Sequence, residues 1–302
     1  MTANKQAASG GVGWAPYLFC APVMLYLLVF QAYPLVQELY LSFTQTSLLS
    51  PGQHGWVGLR NYTDLFGQPE FAQVLVITGV YTVACVVFAI GIGLGTALLL
   101  NMPFRGRGIA RSLITIPWAA PPVAVALIFI WMFNGQYGVL QHVFQFLGLS
   151  SGMEGWLDNP ARALPAVLLT TVWQIFPFTS VVILSALQGV SSDLREAAII
   201  DGADRLSVFG AVVWPAIRPT VMLLTLFITI WSLRRFDLIW LMTQGGPIGS
   251  TNTLVIELYR RAFTYRELGE AAAVGMVGLS LALAITVIYF RLTVRAERAA
   301  GH

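Results

Sequence analysis

Ser191-Ser192-Asp193-Leu194-Arg195-Glu196-Ala197-Ala198-Ile199-Ile200-Asp201-Gly202-Ala203-Asp204 continues as Arg205-Leu206-Ser207-Val208-Phe209-Gly210, then reaches Val213-Trp214-Pro215-Ala216-Ile217-Arg218-Pro219. Charge is concentrated here in a chain that is 57% hydrophobic and only 10% charged. Asp193 and Glu196 have capping-box spacing, which predicts a helix start. Ile199, Ala203 and Leu206 fall on one helical face, and Asp201 can pair with Arg205 at i, i+4. Gly202 bends or breaks that helix and leaves room for close approach. Pro215 and Pro219 are expected to end the segment and start the next apolar stretch. The result is a short, bent, charged helix between apolar stretches. It can rest on lipid as an interfacial helix or dock a partner on one side of a membrane.

Composition decides what lies on either side. Soluble domains carry about 25% charged residues. This chain has too few charges to coat a water-facing globule, and its mean hydropathy is +0.72. A soluble enzyme, a nucleic-acid binder and a disordered chain are set aside. A bilayer core needs about 20 apolar helical residues. Six stretches qualify: 15–36, 73–100, 112–133, 164–187, 219–242 and 271–290. The first is too long for a signal-peptide core and is expected to be retained. The fold class is therefore an all-α polytopic membrane protein, one transmembrane domain over 1–302. It has a tail at 1–14, the charged loop at 188–218 and a last large loop at 243–270.

Six spans put both termini on one side. With the termini inside, Lys5, Arg105, Arg107, Arg111, Arg195, Arg205, Arg218, Arg291, Arg295 and Arg298 lie inside. Arg60, Arg162, Arg260, Arg261 and Arg266 lie outside, while Arg234 and Arg235 fall within span five. The positive-inside rule makes both termini, and the 188–218 loop, cytoplasmic. Cys20 and Cys85 stand far apart and the three histidines are scattered, so neither a disulfide nor a metal site is expected. No catalytic residues are expected either.

The segment Glu196-Ala197-Ala198, Asp201-Gly202-Ala203, Pro215 resembles the EAA motif of ABC-importer permeases. Phe236-Asp237-Leu238-Ile239 with Thr243-Gln244-Gly245-Gly246-Pro247 resembles the stretch after span five in the carbohydrate-uptake branch, which holds maltose-, trehalose- and glycerol-3-phosphate-type permeases. Ala262-Phe263, Gly269-Glu270-Ala271-Ala272-Ala273, Tyr33-Pro34 and Gly58-Leu59-Arg60-Asn61-Tyr62 fit that branch as well. The resemblance covers nearly the whole chain and implies the type I importer permease fold. It implies that Glu196, Ala197, Ala198, Asp201, Gly202 and Ala203 form a coupling helix seated on an ATPase subunit. The implied companions are a second permease, two ATPase subunits and an external solute-binding protein, in a bacterial cytoplasmic membrane. The only lysine is Lys5, so a Walker A loop is absent and ATP and magnesium belong to the partners.

Charges inside a membrane usually face a cavity or each other. In related sugar permeases the turn at Trp231, Ser232, Arg234, Arg235 and Asp237 holds substrate, as does the aromatic-Pro-aromatic turn of span four. The latter makes Trp173, Gln174 and Phe178 candidates. Alternatively, an arginine here simply pairs with Asp237, and the aromatics simply pack. Two adjacent arginines can favour an anionic substrate such as glycerol-3-phosphate or a glycerophosphodiester. Pro117, Pro121 and Pro122 can kink span three, though kinks are common. Gly91, Gly93 and Gly95 read as close-packing positions. A stand-alone secondary transporter is the competing class. It would call for intramembrane carboxylates or an inverted repeat, yet Asp237 is the only acidic residue deep in the spans and no repeat is seen.

Overall fold

The structure is a computed structural model that describes residues 14–50, 52, 54–148 and 154–300. The tail to residue 13, with Lys5, lies outside the described residues. Helix α1 (Ala15–Leu27) passes through a five-residue π turn into α2 (Tyr33–Leu41). A short antiparallel hairpin, β1 (Thr44–Thr46) with β2 (His54–Trp56), follows, then α3 (Arg60–Phe66). The 33-residue α4 (Pro69–Asn101) begins at a proline, whose missing N–H costs nothing in a first turn. Next come α5 (Arg107–Ala119), α6 (Pro122–Met132), α7 (Val139–Phe146) and the 29-residue α8 (Pro160–Gln188). Asn159 caps α8, its side chain accepting from Ala161 N at 2.9 Å. The charged loop holds α9 (Ser192–Ile200) and α10 (Arg205–Val208). The rest is α11 (Trp214–Leu233), α12 (Asp237–Thr243), α13 (Leu254–Tyr259) and α14 (Leu268–Ala300).

Among the described residues, five helices are long and apolar enough to cross a bilayer, and α5 with α6 makes a sixth if the bent pair is one span. The stretch expected as a span at 112–133 is helical on both sides of a bend. The chain turns through 92° at Ala120-Pro121. Two consecutive prolines leave Ala120 extended, because the residue before proline avoids the helical region. Span five differs too. Helix runs from Arg205 to Leu233, so Pro215 and Pro219 lie within it instead of starting it. It then breaks at Arg234–Phe236, well short of the expected end at 242.

Among the described residues, two large apolar clusters fill most of the body. One joins Tyr81, Val125, Phe129, Val167, Leu238 and Ile256. The other joins Ala97, Leu100, Ile183, Leu187, Ile217 and Leu224. A narrow waist of Ala89, Ile175 and Ile228 lies between them. At that waist α4 and α8 touch closely. A methyl on Gly93 would stand 2.9 Å from Thr179 Cβ and 3.1 Å from Ser180 N. Thr179 donates to the Ala89 carbonyl at 2.7 Å. Gly91 and Gly95 face open space, so the close approach belongs to Gly93. At the far end of the chain fold, buried Arg261 pairs with Glu257 at 2.6 Å and with Glu270, and donates to Gln68 at 2.8 Å. This cluster fastens α13 to the starts of α4 and α14. By contrast, none of the most apolar window of the first span is buried.

Candidate functional site

The candidate residues fall into two regions. The first is the charged loop. Its helix starts one residue after Ser191, so Asp193 sits in the first turn and no side chain caps the end. The expected capping box is therefore not formed. The helix ends at Ile200, and Gly202 adopts φ +85°, a left-handed conformation that suits glycine. That break separates Ile199 from Ala203 and Leu206, which do not share a helical face, and leaves Asp201 unpaired with Arg205. Asp204 takes another role: its side chain accepts from Ser207 N at 2.9 Å and starts α10. These Ser207 hydrogen bonds hold the Asp204 carboxyl below the usual range.

Glu196, Ala197, Asp201 and Gly202 are exposed, while Ala198 and Ala203 are half-buried. Around them Leu194, Ile199, Ile200 and Leu206 also face outward; Ile200 is 85% exposed. These apolar side chains stand among the exposed charges of Asp193, Glu196, Asp201 and Arg205. One residue that the sequence reading left without a role fixes this element to the body. Arg195 donates from Nη2 to the carbonyls of Val190 at 3.0 Å and Leu187 at 3.3 Å. It satisfies the end of α8 and ties α9 to it. A cation facing a helix C-terminus is its sequence signal.

The second region lies at the waist. Buried Arg235 stands in the break between α11 and α12. Its Nε lies 3.1 Å from Asp237 Oδ1, with the N–H not aligned for a hydrogen bond. Its guanidinium sits 4.9 Å over the Trp231 ring, and Nη2 donates to Gln174 Oε1. Gln174 Nε2 in turn donates to the Ala120 carbonyl at 3.1 Å. Both ends of that amide are thus assigned by their partners. One side-chain chain therefore bridges two broken helices across α8. Broken helices leave backbone groups unpaired, and these are tolerated only in protein or beside a cavity. Ser232 is buried against the same turn. Tyr81 closes the back: Thr171 Oγ1 donates to its own helix, so the Tyr81 hydroxyl donates to Thr171 at 3.0 Å.

An aromatic ladder leaves this turn. Trp231 neighbours Phe227 at 6.5 Å, Phe227 neighbours Phe178 at 5.4 Å, and Phe178 stacks on Trp118 at 5.6 Å. Trp118 and Phe227 were not singled out from the sequence, although Phe227 is placed by its i, i+4 relation to Trp231. The doublet Pro121-Pro122 likewise points to the Ala120 carbonyl. Two candidates fall elsewhere. Trp173 packs 5.2 Å from Phe129 and lines an apolar cleft with Phe88, Ile92 and Leu169. Arg234 is exposed and lies apart from the Gln174 chain. Arg235 spends its charge on Asp237, which weakens the argument from a double arginine for phosphate. Among the described residues no group of histidine, cysteine and carboxylate side chains could hold a metal ion.

Residues 88–299 match the family described as binding-protein-dependent transport system inner membrane component. The chain is 34% identical over 275 residues to the sulfoquinovosyl glycerol transport system permease protein SmoG of Agrobacterium fabrum, covering 91% of this chain and 89% of that one. It is 32% identical over 279 residues to the trehalose/maltose transport system permease protein MalF of Thermococcus litoralis, covering 91% and 92%. Its fold superposes on a chain of a bacterial ABC transporter involved in import of the acidic polysaccharide alginate, with a TM-score of 0.80 at 22% identity, over 93% of this chain and 96% of that one.

Proposed function

The chain belongs to the family of binding-protein-dependent transport system inner membrane components, and from that premise we propose that it forms one half of the pathway of an ATP-driven importer for a sugar or sugar-like solute. It is a multi-pass membrane protein of the ABC permease class. Both termini and α9 face the cytoplasm. A second permease completes the pathway, two ATPase subunits receive α9, and a solute-binding protein delivers from outside. The chain itself carries no ATP chemistry.

The observation that carries this reading is the bridge Arg235–Gln174–Ala120 at the waist. It sets an amide, an ion pair and the Trp231 face together at two helix breaks. An aromatic face with a few fixed polar groups suits a sugar ring. Asp237 offsets the Arg235 charge, which favours a sugar over a phosphate ester. The exposed, apolar surface of α9 supports the docking role, with Glu196 on the helix and Gly202 just beyond its end.

The test is reconstitution of the full complex with its binding protein, with ATP hydrolysis measured in the presence of a disaccharide panel and of glycerophosphodiesters. Nothing lies within 4 Å of a Cβ at Gly202, so Gly202→Ala costs only the left-handed strain of about 1–2 kcal/mol. Gly202→Asp adds a charge at the docking surface. The expected result is near-normal solute-stimulated hydrolysis for Gly202→Ala and loss of stimulation for Gly202→Asp. Uptake by the chain alone, without ATPase subunits, would replace this reading with the secondary-transporter one.

A further inference from the structure

The two helices that end the aromatic ladder continue past it. Helix α8 carries Phe178, Val181, Ser185 and Gln188 on one side, at steps of three and four residues. Helix α5 offers Thr115, Ser112 and Arg111 beyond Trp118. Val181, Ser185 and Gln188 of α8, with Arg111, Ser112 and Thr115 of α5, line a cleft of about 360 Å³, and Phe178 and Trp118 stand one helical turn short of it. The cleft opens at the end of the bundle that bears α9. Its walls hold three hydroxyls and an amide. They also hold Arg111, which donates from Nη2 to the Leu100 carbonyl at 3.1 Å. The Nε of Arg111 is buried and has no partner. No acidic side chain lines the cleft. The Nε–H of Arg111 is closed off, as are those of Arg195 and Arg235, so it is the charge of the guanidinium that Arg111 brings to the cleft. Unlike Arg235, which faces Asp237, Arg111 keeps its charge for whatever enters.

We propose that this cleft is an inner release station on the solute path, and that Arg111 makes it favour hydroxyl-rich groups that carry negative charge. The inference rests on the importer reading, because the ladder from the Trp231–Arg235 turn ends one helical turn from the cleft. The solute then passes from a charge-balanced waist along aromatic faces to a positively charged inner end. The Arg111 guanidinium donates to a carboxylate or sulfonate, and the Ser112 and Thr115 hydroxyls, which donate to their own helix, are left to accept from sugar hydroxyls.

Charged thiol reagents test this in inside-out vesicles that contain the whole complex. Cysteines are placed on both walls as Ser185→Cys and Thr115→Cys, with the unaltered protein as the blank for Cys20 and Cys85. Anionic and cationic methanethiosulfonates are applied from the cytoplasmic side, and each rate is scaled to a free thiol. The anionic reagent is expected to react roughly tenfold faster, as for one uncompensated charge in a partly screened cleft. Arg111→Gln should remove that preference and Arg111→Lys should keep it. Equal rates for the two reagents, a preference that survives Arg111→Gln, or no labelling from this side would each overturn the proposal. So would loss of labelling on adding anionic phospholipid, since the occupant would then be a lipid headgroup. Solute-stimulated ATP hydrolysis tests the importer reading separately.

Discussion

The ion pair at the waist makes an unequal pair of substitutions. At 3.1 Å the attraction between Arg235 and Asp237 is about 5 kcal/mol at an effective dielectric near 20, before desolvation removes most of it. The two partners differ in what they leave behind. The Arg235 side chain is 4% exposed and that of Asp237 is 39% exposed. Asp237→Asn strands a buried guanidinium, with Gln174 as its remaining acceptor, and is expected to cost about 3 kcal/mol. Arg235→Met removes the buried charge and leaves a carboxylate that water can reach. Its cost is about 1–2 kcal/mol, mainly from the unpaired Gln174 oxygen. The double substitution should resemble Arg235→Met alone. Thermal unfolding of the detergent-solubilised complex reads this at about 2–4 °C per kcal/mol. Asp237→Asn should therefore melt several degrees below Arg235→Met. If Arg235→Met proves the more damaging, or the two effects simply add, the pair does not compensate a buried charge.

Two further outcomes follow from close contacts. Gly93→Ala places a methyl against Thr179 and the backbone of Ser180. It should cost about 1–3 kcal/mol, whereas Gly91→Ala, which meets open space, should be nearly neutral by the same unfolding assay. At Asp204 the carboxyl is held low by hydrogen bonds from Ser207, so its stabilising effect is present at neutral pH and lost as pH falls through the lowered folded value. The exchange protection of the Ser207 amide should drop there, and Asp204→Asn, which can still cap, should flatten that dependence.

The apolar runs and the charged loop were legible because each follows from composition within a short window. The helix breaks were only partly so. Pro121-Pro122 announces an interruption, yet the same residues fit an ordinary kink, and only the surrounding packing sets a 92° turn. Pro219 shows the reverse, since a proline that should start a helix lies inside one. The break at Arg234–Phe236 has no proline or glycine; it is held by Arg235 reaching across to Gln174 and Asp237. Such long-range partners are invisible to local periodicity. Trp173 and Phe178 sit five residues apart in one aromatic cluster, and only the direction of each side chain separates the packed ring from the one on the ladder.

Helix α8 has the geometry of a lever. Its 29 residues rise about 1.5 Å each, or about 44 Å in all. Gln174 lies at the midpoint between Pro160 and Gln188. Arg195 clamps the loop helix to one end, and the apolar core around Val167 holds the other. With the far end as fulcrum, a stroke of about 4 Å at the clamp moves Gln174 by about 2 Å, more than its hydrogen bonds to Arg235 and Ala120 can stretch. A thrust at the loop would thereby reach the waist at about half its size.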